Sequence, residues 1–312
     1  VLVLVLDPVV PDLDVERSVL SSYGIEVAVP AFAGGASPEE LAHADALLVT
    51  EAPRIDGALL DAVPNCRIVA TFGAGYDNVD LAETRARGIV VAHVPDYCTE
   101  EVADHTMGLI LAVHRRLLEG DRLLRSGVWG VERLGVVHRL RGRTLGIVGF
   151  GRIGRAVAAR AEPFGFRLVT WTRHARDVPA HVEVLESLDV LLARADVLSL
   201  HVPLVPETTT LIDAAALARL PAGAIVVNTS RGAVVDLPAL VRALNEGRIA
   251  GAGLDVYPRE PPDLAELALD KRVVLTPHVA WYSAEALDEC RLRAALAVAR
   301  CLTGQSVPNR VA

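Results

Sequence analysis

TLGIVGFGRIGRAVAARAEPFGF, residues 144–166, is the stretch whose reading decides the fold. TLGIVGF is a short apolar run with β-branched residues, and IGRAVAARAEPFGF reads as a helix ending near Gly165. RLVTW follows as a second strand. A GxGxxG motif alone is a weak signal, but here it lies where a parallel strand hands over to a helix, the context of a dinucleotide cradle. Gly149 permits the tight turn, Gly151 lets the backbone approach a pyrophosphate, and Gly154 lets the helix pack closely on the sheet. The phosphates would meet the helix N-terminus at Arg152 and Ile153, where free amides and the helix dipole favour anions.

Outward from this motif, short apolar runs alternate with amphipathic stretches. VLVLVL, IEVAV, DALLVT, RIVAT and GIVVA precede it, and RLVTW, DVLSLHV, GAIVVN, GAGLDV and RVVLT follow. This βαβα rhythm predicts parallel sheets with helices on both faces. Between the two series, one long helical stretch is expected from Thr99 to about Arg125, opened by Thr99 with Glu100 and Glu101 in its first turn. A last helix, SAEALDECRLRAALAVARCL, has no sheet of its own and is expected to cross back to the first domain. At 312 residues the chain exceeds what one core usually organises. The expected division is 1–97 with 284–312 as one α/β domain and 98–283 as a nucleotide-binding domain, with hinges near Pro95 and Ser283.

Composition narrows the function. Hydrophobic residues make up 52% of the chain, yet no apolar run approaches the ~18 residues that span a bilayer. VLVLVL ends at Asp7 without a basic leader and reads as a buried strand, not a signal peptide. The net charge of −8, with scattered arginines, argues against a nucleic-acid surface. The four cysteines show no CxxC spacing, so reduced thiols and a cytoplasmic location are expected. Lys271 is the only lysine, which leaves Schiff-base chemistry almost no candidate. Neither HExxH nor a Cys/His cluster of ligand spacing occurs, so no metal is expected.

Three side chains carry the expected chemistry. Arg231, in NTSRG, follows a strand and offers a planar fork suited to a carboxylate with a neighbouring carbonyl. His278, in TPH, follows RVVLT, and Glu260 lies in YPREPP. Each alone reads as an ordinary loop residue, but the three share a position behind strands of one sheet, where open α/β sheets bind ligands. A carboxylate paired with the imidazole would orient it and hold it protonated, ready to donate to a carbonyl and to take the proton back in reverse. With the cradle, this set points to hydride transfer on a small carbonyl or hydroxy acid.

On FGAGYDNVD, GFGRIG, NTSRG and TPHVAWYS, the chain resembles the D-isomer-specific 2-hydroxyacid dehydrogenases over essentially its whole length. VPDYCTEEVADHT (Val94 to Thr106) and HVAWYS (His278 to Ser283) resemble the C-terminal-binding-protein (CtBP) group. The resemblance implies a flavodoxin-like substrate domain, a Rossmann NAD(P)(H)-binding domain, a cleft between them, and a homodimer built through the nucleotide domain and the long helix. It implies that Arg231 binds and polarises the oxo acid, that His278 is the acid/base and that Glu260 pairs with it. Asp255 would hold the nicotinamide carboxamide, and Val102 would line its site. His201, Val202, Pro203 and Thr208, with Thr229 and Ser230, would lie along the cofactor. The amides of Gly73, Ala74 and Gly75 would meet the substrate carboxylate.

Two departures qualify the resemblance. Where NAD-preferring members carry an acid for the ribose hydroxyls, this chain has Thr172, followed by Arg173, His174 and Arg176, which predicts a preference for NADP(H). Thr71 stands where the CtBP group usually has an arginine, removing a cation from the substrate mouth. Trp281 would narrow the cleft and favour a 2-oxo acid with an apolar or thioether tail, or else belong to a domain interface. Beside the enzyme stand two other readings: a dinucleotide-sensing interaction protein like the corepressors of the CtBP group, and a relative acting on formate or phosphite. Retention of the histidine–carboxylate partnership favours the enzyme.

Overall fold

The computed structural model describes residues 1–8, 12–30, 36–263, 267 and 270–312. The chain divides into two compact units, Val1–Tyr97 with Ser283–Ala312, and Cys98–Tyr282.

The first unit holds a parallel sheet of β1 (Leu2–Val5), β2 (Glu26–Ala28), β3 (Ala46–Val49), β4 (Ile68–Thr71) and β5 (Val90–Ala92), in the order β2-β1-β3-β4-β5. This is the flavodoxin-like strand order. Its helices are α1 (Asp14–Ser21), α2 (Pro38–His43), α3 (Gly57–Ala62), α4 (Leu81–Ala86) and, from the end of the chain, α11 (Ala284–Leu302). Strands β3 and β4 are buried throughout, as expected of strands covered on both faces. Helix starts follow the short polar residues of the sequence: Asp56 accepts from the Leu59 amide, Asp80 from Ala82 and Glu83, and Ser283 from Ala286. Ser37 and Glu40 form a reciprocal capping box at α2.

The second unit is built on β6 (Thr144–Val148), β7 (Arg167–Trp171), β8 (Val182–Val184), β9 (Val197–Leu200), β10 (Ala224–Asn228), β11 (Ile249–Leu254) and β12 (Val273–Leu275). All seven are parallel, in the order β12-β11-β10-β9-β6-β7-β8, the Rossmann arrangement extended by one strand. Alternation along each strand divides the core. Val148, Leu198 and Val226 enter one cluster, while Ile147, Val197, Ile225 and Val227 enter the other, on the opposite face. The helices are α5 (Thr99–His114), α6 (Leu117–Arg125), α7 (Arg152–Ala161), α8 (Leu188–Arg194), α9 (Ala214–Arg219) and α10 (Leu237–Asn245).

Three local expectations are corrected. The helix expected from Thr99 to Arg125 is two helices, broken where Arg116 takes a left-handed backbone (φ 52°). Thr99 is not its cap, since Cys98 occupies that position without a side-chain hydrogen bond. The edge strand β8 escaped notice because VEV is only three residues long, with one of them buried. Among the described residues no helix is long and apolar enough to cross a membrane. Cys66, Cys98 and Cys290 are buried, and Cys301 is partly so.

In the first unit, the guanidinium of Arg291 on α11 is buried against α1. It donates to both carboxylate oxygens of Glu16, at 2.8 and 2.7 Å, and to Asp12 at 3.0 Å. These hydrogen bonds raise the arginine's pKa despite the opposing effect of burial. Removing one partner of a buried pair strands the other charge, so Glu16→Ala should lower unfolding stability by roughly 3 kcal/mol in urea titration. A loss below about 0.5 kcal/mol would mean that Asp12 alone satisfies the guanidinium.

Candidate active site

The glycine turn after β6 is shaped by close approach. A Cβ on Gly149 (φ 90°) would meet the His201 carbonyl oxygen at 2.3 Å, and one on Gly154 would meet the Gly149 oxygen at 2.3 Å. Strand β6, the loop after β9 and the first turn of α7 therefore touch through bare backbone. Gly151, by contrast, faces open space, with nothing within 4 Å of its would-be Cβ. It is also the N-cap of α7, and no side chain caps the amides that follow it. Uncapped amides at a helix N-terminus beside an open glycine fit a pyrophosphate. Around this turn, Val202 packs over Gly149, and the Thr208 hydroxyl closes its own loop by donating to the Pro203 carbonyl at 2.6 Å. Burial lowers the His201 pKa to about 3, so its imidazole is neutral, with Nε2 2.8 Å from the Ser199 hydroxyl.

After β7 come Thr172, Arg173, His174 and Arg176. Arg155 on α7 holds this loop by donating to the carbonyls of Arg176 and Asp177. Arg173 is exposed and 3.8 Å from Glu207.

The three expected chemical residues follow the adjacent strands β10, β11 and β12. Arg231 ends the turn after β10, shaped by Asn228, whose side-chain oxygen accepts from the Ser230 amide and hydroxyl and whose amide donates to the Arg231 carbonyl at 2.9 Å. A Cβ on the next residue, Gly232, would meet the Tyr257 carbonyl carbon at 1.8 Å. The Arg231 turn and the Glu260 loop are thus packed backbone on backbone. Glu260 Oε1 accepts from the Tyr257 amide at 2.9 Å, and Oε2 lies 2.7 Å from His278 Nδ1. Burial pushes the Glu260 carboxyl up, but the bonds from His278 and Tyr257 and the charges of His278 and Arg231 outweigh it, so its pKa falls below the ordinary value.

His278 itself has a left-handed backbone (φ 53°), which is uncommon for a residue with a Cβ. The turn that imposes it is tied to Asp255, at the end of β11. The Asp255 carbonyl accepts from the His278 amide at 2.8 Å, while its fully buried carboxylate accepts from the amides of Val279 (3.0 Å) and Ala280 (2.9 Å) and from the Thr276 hydroxyl (2.6 Å). The Trp281 indole N–H donates to the His278 carbonyl at 3.0 Å, and its ring meets Tyr282 edge-on. Val102 is buried on α5, and one turn later Thr106 Oγ1 lies 2.8 Å from Thr229 Oγ1. Residue-type reasoning missed Asn228, Thr276 and His105. The first two stand inside NTSRG and TPH, and His105 is three residues beyond Val102, a same-face helical spacing.

Gly73, Ala74 and Gly75 belong to the first unit, after β4. The buried Thr71 hydroxyl donates to the Gly73 carbonyl at 3.1 Å, and the same carbonyl accepts from the Val94 amide at 2.8 Å. His93 Nδ1 lies 2.9 Å from the Ala74 carbonyl. Thr71 therefore helps to shape this loop. Among the described residues no cluster of His, Cys, Asp or Glu could hold a metal ion.

The profile of the D-isomer specific 2-hydroxyacid dehydrogenase NAD binding domain matches residues 107–280. The chain belongs to the D-isomer specific 2-hydroxyacid dehydrogenase family. It is 41% identical to a glyoxylate reductase of Thermococcus litoralis over 282 residues, 88% of this chain and 85% of that protein. Its fold is similar to the NADPH-dependent glyoxylate/hydroxypyruvate reductase of Sinorhizobium meliloti, solved with NADP and malonate (TM-score 0.86, 34% identity, 100% and 96% of the two chains). It is also similar to the D-lactate dehydrogenase of Aquifex aeolicus, solved with NAD and lactic acid (TM-score 0.89, 28% identity, 100% and 99%). As a 2-hydroxyacid dehydrogenase, this protein is an NAD(P)-dependent oxidoreductase that moves a hydride between the nicotinamide and C2 of a 2-hydroxy or 2-oxo acid.

Any side chain at position 232 must force the Arg231 turn away from the Glu260 loop. Gly232→Ala is expected to cost about 1–3 kcal/mol of stability by urea titration, with a larger proportional loss of turnover. Unchanged turnover would show that the packing of these loops does not matter.

Proposed function

We propose that this dehydrogenase reduces a small 2-oxo acid of glyoxylate size, with Arg231 binding the acid and His278, paired with Glu260, handling the proton. The observation that carries this reading is the 2.7 Å contact between His278 Nδ1 and Glu260, one strand away from Arg231. When bound, the reduced nicotinamide supplies the hydride to C2. The Arg231 guanidinium would grip the carboxylate and polarise the adjacent carbonyl. Because Nδ1 is committed to Glu260, Nε2 is the atom that would give its proton to the carbonyl oxygen and recover it in reverse. Asp255 would serve as the anchor of the turn presenting His278, as well as the carboxamide partner that the resemblance implies. Arg152, Ile153, Thr229 and Ser230 would lie along the cofactor with the glycine turn and Val102, and the amides of Gly73 to Gly75 would meet the substrate carboxylate.

The pairing fixes the direction of a pH effect. Glu260 is depressed in the folded protein, so its contribution is present above its unfolded pKa and is lost as pH falls through the folded value. As an anion it favours the imidazolium, so Glu260→Gln should lower kcat about 10- to 100-fold. It should also move the alkaline limb of the reduction profile to lower pH. A profile that keeps its alkaline limb in place would remove Glu260 from this role.

For the cofactor, NADP(H) is favoured by Thr172 in place of an acid and by Arg173, His174 and Arg176 beside it. The Arg173–Glu207 pair is exposed and 3.8 Å long, worth at most ~1 kcal/mol, so a 2′-phosphate would displace it at little cost. Arg173→Ala should reduce kcat/KM for NADPH about tenfold, the weight of one charge-assisted contact, while NADH use changes little. Better use of NADH by the unaltered protein would overturn the preference.

The relatives named as glyoxylate reductases support the shortest substrate, whereas the ring of Trp281 supports an apolar or thioether tail. A panel of 2-oxo acids with Trp281→Ala separates them. Selective loss on tailed substrates supports a wall, and equal loss on all supports a brace for the His278 turn. Likeness to the CtBP group rests on Val94 to Thr106 and His278 to Ser283, and the presence of Arg231, Glu260 and His278 favours an enzyme over a sensor. A homodimer is supported by α6, which buries no residue in its own unit, and by Trp129 and Val131 beside it, 85% and 79% exposed. The four cysteines, without CxxC or framework spacing, support a reducing, cytoplasmic setting.

A further inference from the structure

Helix α5 carries an imidazole that the reaction scheme leaves unused. His105 Nε2 lies 2.9 Å from the Thr276 hydroxyl oxygen, and that hydroxyl lies 2.6 Å from Asp255 Oδ1. The direction of this chain of hydrogen bonds follows from its last acceptor. Asp255 Oδ1 belongs to a carboxylate that also accepts the Val279 and Ala280 amides, so the single proton of Thr276 points to Asp255. Thr276 must then accept from His105, which fixes Nε2 of His105 as a donor. Asp255 lies 3.7 Å from Nε2, too far for a direct hydrogen bond, so the hydroxyl is the intermediary.

We infer that His105 is a positioning residue for the reaction, setting the His278 imidazole through Thr276 and Asp255. This inference rests on the assignment of His278 as the acid/base. His278 keeps a left-handed backbone that persists only where its surroundings over-determine it. Those surroundings are the backbone and both carboxylate oxygens of Asp255. The Thr276 hydroxyl contributes one of the three donors on that buried carboxylate, and only while its own lone pair is filled is it held in that rotamer. His105 fills it from a rigid element. Helix α5 packs so closely on β11 that a Cβ on Gly253 would meet Leu109 Cβ at 2.9 Å. The next residue on α5, Thr106, donates to the Val102 carbonyl and accepts from Thr229, in the turn that leads to Arg231. Two consecutive side chains of one helix thus register the loop of the proton donor and the loop of the carboxylate-binding arginine.

The test compares His105→Phe, which keeps an aromatic ring without the N–H, with His105→Gln, whose amide offers a donor. Turnover with glyoxylate and NADPH, thermal melting, and the imidazole NMR signal of His278 in the cofactor-free protein, assigned with His278→Gln, are measured for each. Loss of one buried hydrogen bond predicts a fall in kcat of about 5- to 10-fold for His105→Phe. KM values should stay within about twofold and the melting temperature within a few degrees. The His278 signal should move, and His105→Gln should recover most of kcat and of that signal. Unchanged kcat with an unmoved His278 signal overturns the inference. So does an equal fall in both variants accompanied by a large fall in melting temperature, which marks a purely structural residue. Should His278→Gln itself keep full turnover, or the unaltered protein show none with any 2-oxo acid, the acid/base assignment fails instead. The NMR signal then decides for or against His105 without reference to turnover.

Discussion

Parallel pairing of β10, β11 and β12 is the constraint on which the site depends. In a parallel ladder neighbouring strands end on the same side, so residues 228–231, 255–260 and 276–281 emerge side by side although tens of positions separate them. The register makes the contacts specific. The Asp255 amide donates to the Asn228 carbonyl, and the Thr276 amide donates to the Leu254 carbonyl, which carries the ladder one step beyond the strands into the loops. From there a buried carboxylate takes over, with Asp255 fastening the turn that bears His278 to the end of its neighbouring strand.

Electrostatics and packing divide the work at this edge. Asp255 is enclosed and accepts backbone amides, whereas Glu260 is exposed and faces the imidazole. The same side-chain chemistry therefore does two jobs, according to whether its partners are backbone amides or a titratable ring. At the glycine turn before α7 the pattern reverses, because there the protein withholds side chains. Glycines bring backbone against backbone, and α7 begins without the Ser or Asp cap used at α8, α9 and α10. A helix that leaves its first amides uncapped beside open space is prepared for an anionic ligand.

Much of this was legible in the sequence, for physical reasons. Fully buried parallel strands must be apolar, so VLVLVL, DALLVT, RIVAT and AIVVN announced themselves, and the Gly149–Gly154 spacing marked the cradle. The positions of Arg231, Glu260 and His278 behind strands pointed to one sheet edge. What stayed hidden depends on geometry that local pattern does not encode. VEV is too short to show alternation, and the break at Arg116 has no proline or glycine at that position to mark it. The partners of Asp255 and the reach of His105 to Thr276 arise only when α5 is laid across β11 and β12, a tertiary choice. Thr71 is a further case, since the residue was visible in the sequence while its use in shaping the Gly73 loop was not.

The central claim, that the histidine–carboxylate pair at this sheet edge drives hydride transfer to a 2-oxo acid, is tested most directly by following the hydrogen itself. Reduced cofactor carrying deuterium at nicotinamide C4 is incubated with a 2-oxo acid, and the product is read by NMR. The account predicts deuterium at C2 of a D-2-hydroxy acid with the unaltered protein, and almost none with His278→Gln in the same time. Label arriving at C2 at the same rate in both proteins would contradict it.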